Sequence, residues 1–398
     1  MYKLLQEIDV DNKRVVLRCD LNVPMKDGRI LDDLKIEKSL ETIKYLMDKN
    51  CKIIILSHLG KINKESDKNT NSLEVVALRL KELLKTNVIF SKQNRVMQLK
   101  DLVMGLNEKD VLVLENTRFE DYPNKYESKC DLDLAKFWAS LGEVFVFDAF
   151  ASSHRRHAST YGISKYLPTA IGFLVQKEME NINKYVIHAD HPFTIVMGGA
   201  KIDDKLELMK KLLPKCDHML LTGGLANTCL NVIGFNTGNS IRSHNLDVIE
   251  DVKVMLKKYK DKILLPYDVI VGNTYNDDYI DQKNINEIET NEEIKDIGGK
   301  TINIYKDILS KSKTIFLNGT PGVYEDNRFA NGTKELFNIL SKTLGNVIVG
   351  GGDSSGYARI LNYADKFAFV STGGGATLDY IINEKLEALE DVEEIETL

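Results

Sequence analysis

Two sets of residues in this 398-residue sequence could do chemistry on phosphate. The first is Val347-Ile-Val-Gly-Gly-Gly-Asp-Ser354, three β-prone residues followed by three glycines and a candidate helix cap, Ser354. A strand–loop–helix junction of this kind aims free N–H groups and the positive end of a helix dipole at an anion. Asp353 would repel a bare phosphate unless a cation lay between them, so the segment points to a Mg²⁺-nucleotide. Taken alone, the same residues also read as a glycine-rich turn without ligand. The second set is Asp20, Asn22, His58, Lys61, Arg118, His154 and Arg155, which follow four apolar runs in turn. Arginine grips phosphate or carboxylate bidentately, and an Asp/Asn pair can hold a hydroxyl, which together suit a small phosphorylated acid. One such cation is ordinarily solvated loop charge, whereas recurrence after four runs favours a site. Lys201 and Lys205, four apart, would share one face if helical and could offer two ammonium groups to a polyphosphate, a solvated lysine pair being the usual alternative. His154 and His157 have no third partner in the pattern and do not read as a metal site.

The elements that must position these residues follow from periodicity. Apolar runs at residues 15–19, 52–56, 110–114 and 144–147 read as buried strands, with helical spacing at 32–48 and 73–84. Strands alternating with helices imply a parallel sheet covered on both faces, with ligands at the carboxyl ends of its strands. The pattern breaks at 162–168, and 172–188 reads as a connecting helix. Six further strands are expected at 193–197, 218–221, 262–265, 314–317, 346–349 and 367–370, four of them running into paired or tripled glycines. The polar stretch 273–294 reads as loop with a short exposed strand, and the acidic stretch 384–396 as a solvated face. The expected fold class is therefore α/β: two Rossmann-like lobes, each a parallel sheet flanked by helices, joined by an interdomain helix. Its boundaries fall at 1–171, 172–188, 189–380 and 381–398.

Composition narrows the function class. A net charge of −6 and a pI near 5.8 disfavour nucleic acid as a partner. No apolar run has membrane-spanning length and the first residues lack a signal-peptide core, so a cytoplasmic protein without membrane partner is expected. The five cysteines are scattered and never spaced Cys-x-x-Cys, as free thiols are. Gly299-Lys-Thr301 resembles a P-loop ending, but Ile294 stands where that loop needs glycine. Gly350-x-Gly352-x-x-Ser355 lacks the last glycine of the dinucleotide signature. An anion cleft in one lobe and a Mg²⁺-nucleotide site in the other leave phosphoryl transfer, a reaction that mostly requires positioning and cations.

Eight segments together carry a family resemblance: Arg18-Cys-Asp-Leu-Asn-Val-Pro24, Ser57-His-Leu-Gly-Lys61, Leu114-Glu-Asn-Thr-Arg-Phe119, 148–160, 198–205, 318–325, 350–354 and 371–376. In order and across essentially the whole chain, they resemble phosphoglycerate kinases. The resemblance implies a glycolytic, monomeric, bilobal enzyme whose C-terminal segment packs on the first lobe and whose lobes close during reaction. It implies reversible, Mg²⁺-dependent phosphoryl transfer between 1,3-bisphosphoglycerate and ADP, giving 3-phosphoglycerate and ATP. Carried onto matching positions, Asp20, Leu21 and Asn22 with Leu59 and Gly60 would surround the glycerate, and His58, Lys61, Arg118 and Arg155 would hold its phosphate. Lys35, Lys201 and the N–H groups of Gly373, Gly374 and Gly375 would stabilise the moving phosphoryl. Lys205 would contact the nucleotide phosphates and Asp353 the metal. Gly351, Gly352, Ser354 and Asn318 would wall the nucleotide, Glu325 would take the ribose hydroxyls, and Gly223, Gly224 and Gly298 would line the adenine side. Lys35 and Lys61 stand where the family usually has arginines, and Ala151, Thr222, Gly299 and Thr320 also depart from its pattern. These departures raise one alternative, a diverged paralogue that binds nucleotide with weak or altered transfer. Arginine supplies only 11 of the 53 basic residues, so a chain-wide drift towards lysine accounts for the replacements while Arg118 and Arg155 persist.

Overall fold

Residues 14–19 form a strand with both faces covered: Val15, Val16 and Leu17 are fully buried, which requires helices above and below. In this computed structural model the described residues are 2–200, 202–273 and 276–390. The chain forms two compact units, divided after Glu180 and again after Asn383. The first unit is built on β1 (Arg14–Cys19), β2 (Lys52–Leu56), β3 (Val88–Ser91), β4 (Val111–Leu114), β5 (Val144–Asp148) and β6 (Thr169–Ile171), all parallel in the order β3-β4-β2-β1-β5-β6. Four of these strands match the apolar runs at 15–19, 52–56, 110–114 and 144–147. The two without a matching run, β3 and β6, are the edges, which have only one neighbouring strand and so need less continuous burial.

Helix α1 (Leu34–Asp48) buries Ile36, Ser39, Thr42, Ile43 and Leu46, the stripe expected from a helical period. Its start places Lys35 in the first turn, next to the carboxyl end of the sheet. Helix α2 (Phe173–Ile182) is capped by the end of β5: Asp148 Oδ1 accepts from Leu174 N at 2.9 Å and Val175 N at 3.2 Å. A Cβ at Gly172 would overlap that carboxylate, so the chain needs glycine there. The unit boundary falls inside α2. The segment after Asn383 belongs to the first unit, where Leu386 N donates to Tyr2 Oη at 2.7 Å, Ala388 N donates to Ser153 O at 2.8 Å, and Arg156 pairs with Glu390.

The second unit carries β7 (Phe193–Met197), β8 (His218–Leu221), β9 (Ile263–Leu264), β13 (Thr314–Asn318), β14 (Asn346–Gly350) and β15 (Phe369–Val370), parallel in the order β9-β8-β7-β13-β14-β15. Between them lies a correction. Residues 273–294 are not mainly loop but belong to an antiparallel sheet of β10 (Asp268–Asn273), β11 (Asn276–Asn284) and β12 (Glu292–Ile297), in the order β11-β10-β12. Val269 and Val271 of this sheet form a small core with Ile288, while its strands are otherwise rich in polar residues, some of them buried (Asp268, Glu292 and Asp296), which hides the strands from an apolar count. The helices of the unit include α3 (Leu206–Leu212), α4 (Gly223–Val232), α5 (Gly299–Leu309), α6 (Asn331–Leu340), α7 (Gly352–Ile360) and α8 (Gly375–Asn383). All five cysteines are free thiols, four of them buried. Among the described residues no helix is long and apolar enough to cross a membrane.

Candidate functional site

In the first unit the carboxyl ends of β1, β2, β4 and β5 gather positive charge. Asp20 is 2% exposed, just beyond β1, and its Oδ2 accepts from Lys35 Nζ at 2.8 Å. Asn22 Oδ1 accepts from Gly60 N at 2.9 Å, and Leu21 N donates to Ser57 Oγ at 2.9 Å, so the loop after β1 is tied to the loop after β2. Gly60 adopts φ +61°, a left-handed conformation that favours glycine. Leu59 is held from behind by Asn116, which is fully buried: its Oδ1 accepts from Leu59 N and Arg118 N at 3.2 and 3.0 Å, and its Nδ2 donates to Leu59 O at 2.7 Å. One amide therefore fixes the backbone that carries both His58 and Arg118.

His58 is buried beside Arg18, whose Nη2 lies 3.2 Å from His58 Nδ1. Burial lowers the His58 pKa well below its usual value, and Arg18, Arg118, Lys35 and Arg155 push the same way, so the imidazole is neutral. His154 is lowered to about 4 by burial and by Arg155, whose Nε donates to His154 Nε2 at 3.1 Å. Burial and the neighbouring Arg118 lower Arg155 itself, and Arg118 Nε is buried without a partner. Two guanidinium groups set close together, one with a buried N–H that has no partner, make a cluster suited to receive an anion. Lys61 is exposed and makes no ion pair with a described residue. The structure thus brings together Asp20, Leu21, Asn22, Lys35, His58, Leu59, Gly60, Arg118 and Arg155. Arg18 was not among the expected site residues, although a charge at an inward position of an apolar strand was its signal.

In the second unit the loops after β7, β8, β13 and β14 lie backbone against backbone. Gly224 N donates to Gly199 O at 2.8 Å, and a Cβ at Gly224 would overlap Ala200 O. Gly223 has φ +58° and Gly319 φ +91°, with Gly199 and Gly198 against them. Gly298 caps α5 and lies against the Asp268 carboxylate, which accepts from Thr301 N at 2.8 Å and Lys300 N at 3.1 Å. These glycines are demanded by chain packing. Gly352, Gly374 and Gly375 differ, because a Cβ there meets nothing within 4 Å. They mark an open cradle beside the starts of α7 and α8.

Lys205 stands over this edge. Its Nζ donates to Gly198 O at 2.6 Å and Asn318 O at 3.4 Å, and burial lowers its pKa to about 8, a shift that Asp353 and Asp204 partly offset. Lys205 precedes α3 instead of lying within it, so the expected pairing with Lys201 on one helix face is not formed by that helix; Lys201 itself lies outside the described residues. Asn318 Nδ2 donates to Gly350 O at 3.0 Å, while its Oδ1 is buried without a partner. Ser354 is not the helix cap. Gly351, at φ +91°, occupies that place, and the Ser354 hydroxyl, one turn inside, accepts from Gly319 N at 2.6 Å. Asp353 and Glu325 are exposed. No group of three or more His, Cys, Asp or Glu among the described residues could hold a metal. A single exposed carboxylate fits Mg²⁺ that arrives with nucleotide phosphates, since Mg²⁺ keeps several waters and takes one or two carboxylates.

The contrast between the two kinds of glycine is testable. Gly224→Ala is expected to destabilise the chain by about 1–3 kcal/mol through overlap with Ala200, as overpacking does. Gly375→Ala should leave the melting temperature within 2 °C, roughly the effect of a few tenths of a kcal/mol, yet weaken ADP binding by about tenfold or more. Thermal denaturation and calorimetric titration of both variants check this; equal loss of stability in the two would remove the distinction.

The family model for phosphoglycerate kinase matches residues 5–384. A phosphoglycerate kinase of Fusobacterium nucleatum is 42% identical over 398 residues, covering 98% of this chain and 99% of the relative. One from Macrococcus caseolyticus is 41% identical over 392 residues, with 98% of each chain covered. The structure of phosphoglycerate kinase from Coxiella burnetii superposes with a TM-score of 0.86 at 32% identity, covering 98% of this chain and 99% of that one.

Proposed function

This chain belongs to the phosphoglycerate kinase family, and from that premise we propose how its two units divide the work of a reversible phosphotransferase. The observation that carries the reading is Lys205: a half-buried ammonium whose hydrogen-bond partners are backbone carbonyls, set at a glycine-lined sheet edge with open space at Gly352, Gly374 and Gly375. A cation held this way gains most from a nucleotide phosphate. Asn318, Gly351 and Ser354 shape that wall, with Glu325 placed for the ribose and Gly223, Gly224 and Gly298 for the adenine side. Asp353 would hold Mg²⁺, which when bound neutralises charge on the nucleotide phosphates. The first unit binds 3-phosphoglycerate, with Arg118, Arg155, His58 and Lys61 on its phosphate and Asp20 and Asn22 orienting its hydroxyl and carboxylate ends. Lys35 and the N–H groups of Gly373, Gly374 and Gly375 stabilise charge on the transferring group, with Lys201 assigned the same role by its position in the motif. A monomeric cytoplasmic enzyme without nucleic-acid or membrane partners completes the proposal, supported by the acidic balance and the free cysteines.

The alternative, a paralogue with altered transfer, finds no support in relatives that are named phosphoglycerate kinase at 41–42% identity. A coupled assay with 3-phosphoglycerate, Mg-ATP and an NADH-linked dehydrogenase tests the proposal. Turnover that vanishes with chelator is the expected result; a background rate together with intact ADP binding would overturn it.

A further inference from the structure

Behind His58 runs a hydrogen-bonded chain of buried side chains to which no substrate or nucleotide role has been assigned. Glu127 and Ser159 are fully buried and Arg18 is 1% exposed. Ser159 N donates to Glu127 Oε2 at 2.9 Å, the Ser159 hydroxyl donates to Glu127 Oε1, and Arg18 Nε donates to Ser159 Oγ at 2.8 Å. Arg18 Nη1 donates to Cys19 O, and Nη2 faces His58 Nδ1 at 3.2 Å. We propose that Glu127 and Ser159 are positioning residues which, through Arg18, lock His58 as the neutral tautomer with its proton on Nε2.

The direction of every bond in this chain is fixed by chemistry. Guanidinium has donors only, so His58 Nδ1 can meet Arg18 only as a lone pair, and the single imidazole proton must sit on Nε2. An imidazolium would set N–H against N–H. Ser159 owns one hydroxyl proton and spends it on Glu127, which leaves its oxygen free to accept from Arg18. Glu127 supplies the charge that makes a buried guanidinium tolerable, since burial alone lowers the Arg18 pKa and Glu127 raises it again. His157 Nδ1 also lies 3.7 Å from Glu127 Oε1, but burial holds that ring neutral, with a pKa near 3, so it does not compete as a counter-ion. The result is an imidazole that offers an N–H donor within a cluster of Arg118, Arg155 and Lys35. A fixed donor suits an anion; the other tautomer would present a lone pair to it and repel it. This inference rests on the phosphoglycerate reading of the first unit only for the identity of the anion.

Nitrogen-15 NMR of histidine-labelled full-length chain reads the His58 tautomer directly, without turnover. The native chain and Ser159→Thr, which keeps the hydroxyl, are expected to show the Nε2–H form. Ser159→Ala and Glu127→Gln are expected to show shifts averaged between the two tautomers. In the coupled assay these two variants should raise KM for 3-phosphoglycerate about tenfold, the loss of roughly one charge-assisted hydrogen bond, with KM for Mg-ATP changed less than about twofold. A tautomer that is unchanged in both variants, or a native His58 protonated on Nδ1, would overturn the proposal. So would equal rises in both KM values, which mark general loosening. Should Glu127→Gln fail to fold, Ser159→Ala carries the test, because it removes no charge. A native chain without turnover whose His58 still responds to Ser159→Ala would refute the assigned activity and uphold the relay.

Discussion

Lys205→Met is expected to lower kcat/KM for Mg-ATP by about 10²- to 10³-fold, the usual effect of removing one preorganised charge from a developing phosphoryl transition state. Methionine keeps most of the stem that fills the space beside Gly199 and Gly319, so the fold should persist. The same residue sets a pH dependence. Its pKa is about 8 in the folded chain, against about 10.4 for a free lysine. The cation is present below pH 8 and is lost as pH rises through it, so nucleotide affinity of the free protein should fall across that range. Stability runs the other way. Between the two values the unfolded chain binds more protons than the folded one, so the contribution of this group to stability increases as pH rises from 8 towards the unfolded pKa. Lys205→Met should abolish both trends and leave the melting temperature at pH 7 equal or higher. Titrations with ADP and melting curves from pH 6.5 to 9.5 check this; a variant with kcat/KM within threefold of the native chain would remove Lys205 from the site.

Lys35 carries the second large effect. Its ammonium bonds Asp20 Oδ2 at 2.8 Å, so part of its charge is committed to a buried carboxylate before any substrate arrives. Lys35→Met should cut kcat by about 10²-fold or more. It should also cost about 1–3 kcal/mol of stability, because Asp20 then lacks its partner. Lys35→Arg should raise kcat above the native value, since a guanidinium can keep one N–H on Asp20 and direct another at the transferring group. Steady-state rates at saturating substrates separate these outcomes. A Lys35→Met chain with native kcat, or a Lys35→Arg chain slower than native, would show that Lys35 serves Asp20 alone.

Continuous apolar strands were legible because burial on both faces leaves no room for polar alternation, as in Val15, Val16 and Leu17. The three-stranded sheet at 268–297 was not, since its strands are rich in polar residues and its sequence looks like loop. Lys205 is expected as a phosphate contact from its position in the motif, but the helix that would pair it with Lys201 begins only after it. Ser354 has the residue type of a cap, yet its hydroxyl is drawn to Gly319 N by the neighbouring strand. The roles of Asn116, Ser159 and Glu127 are not legible in the sequence, because they lie in contacts between segments remote along the chain.

By itself the sequence determined the α/β alternation, the glycine-rich strand ends, the set of cations and the family, since these depend on local period and on residue types in fixed order. Tertiary structure alone decided which glycines serve packing and which leave space, how Lys35 is committed, and how Arg18 holds His58. Those are distances between strand ends far apart in the chain, and they exist only once hydrophobic burial has brought the parallel strands side by side.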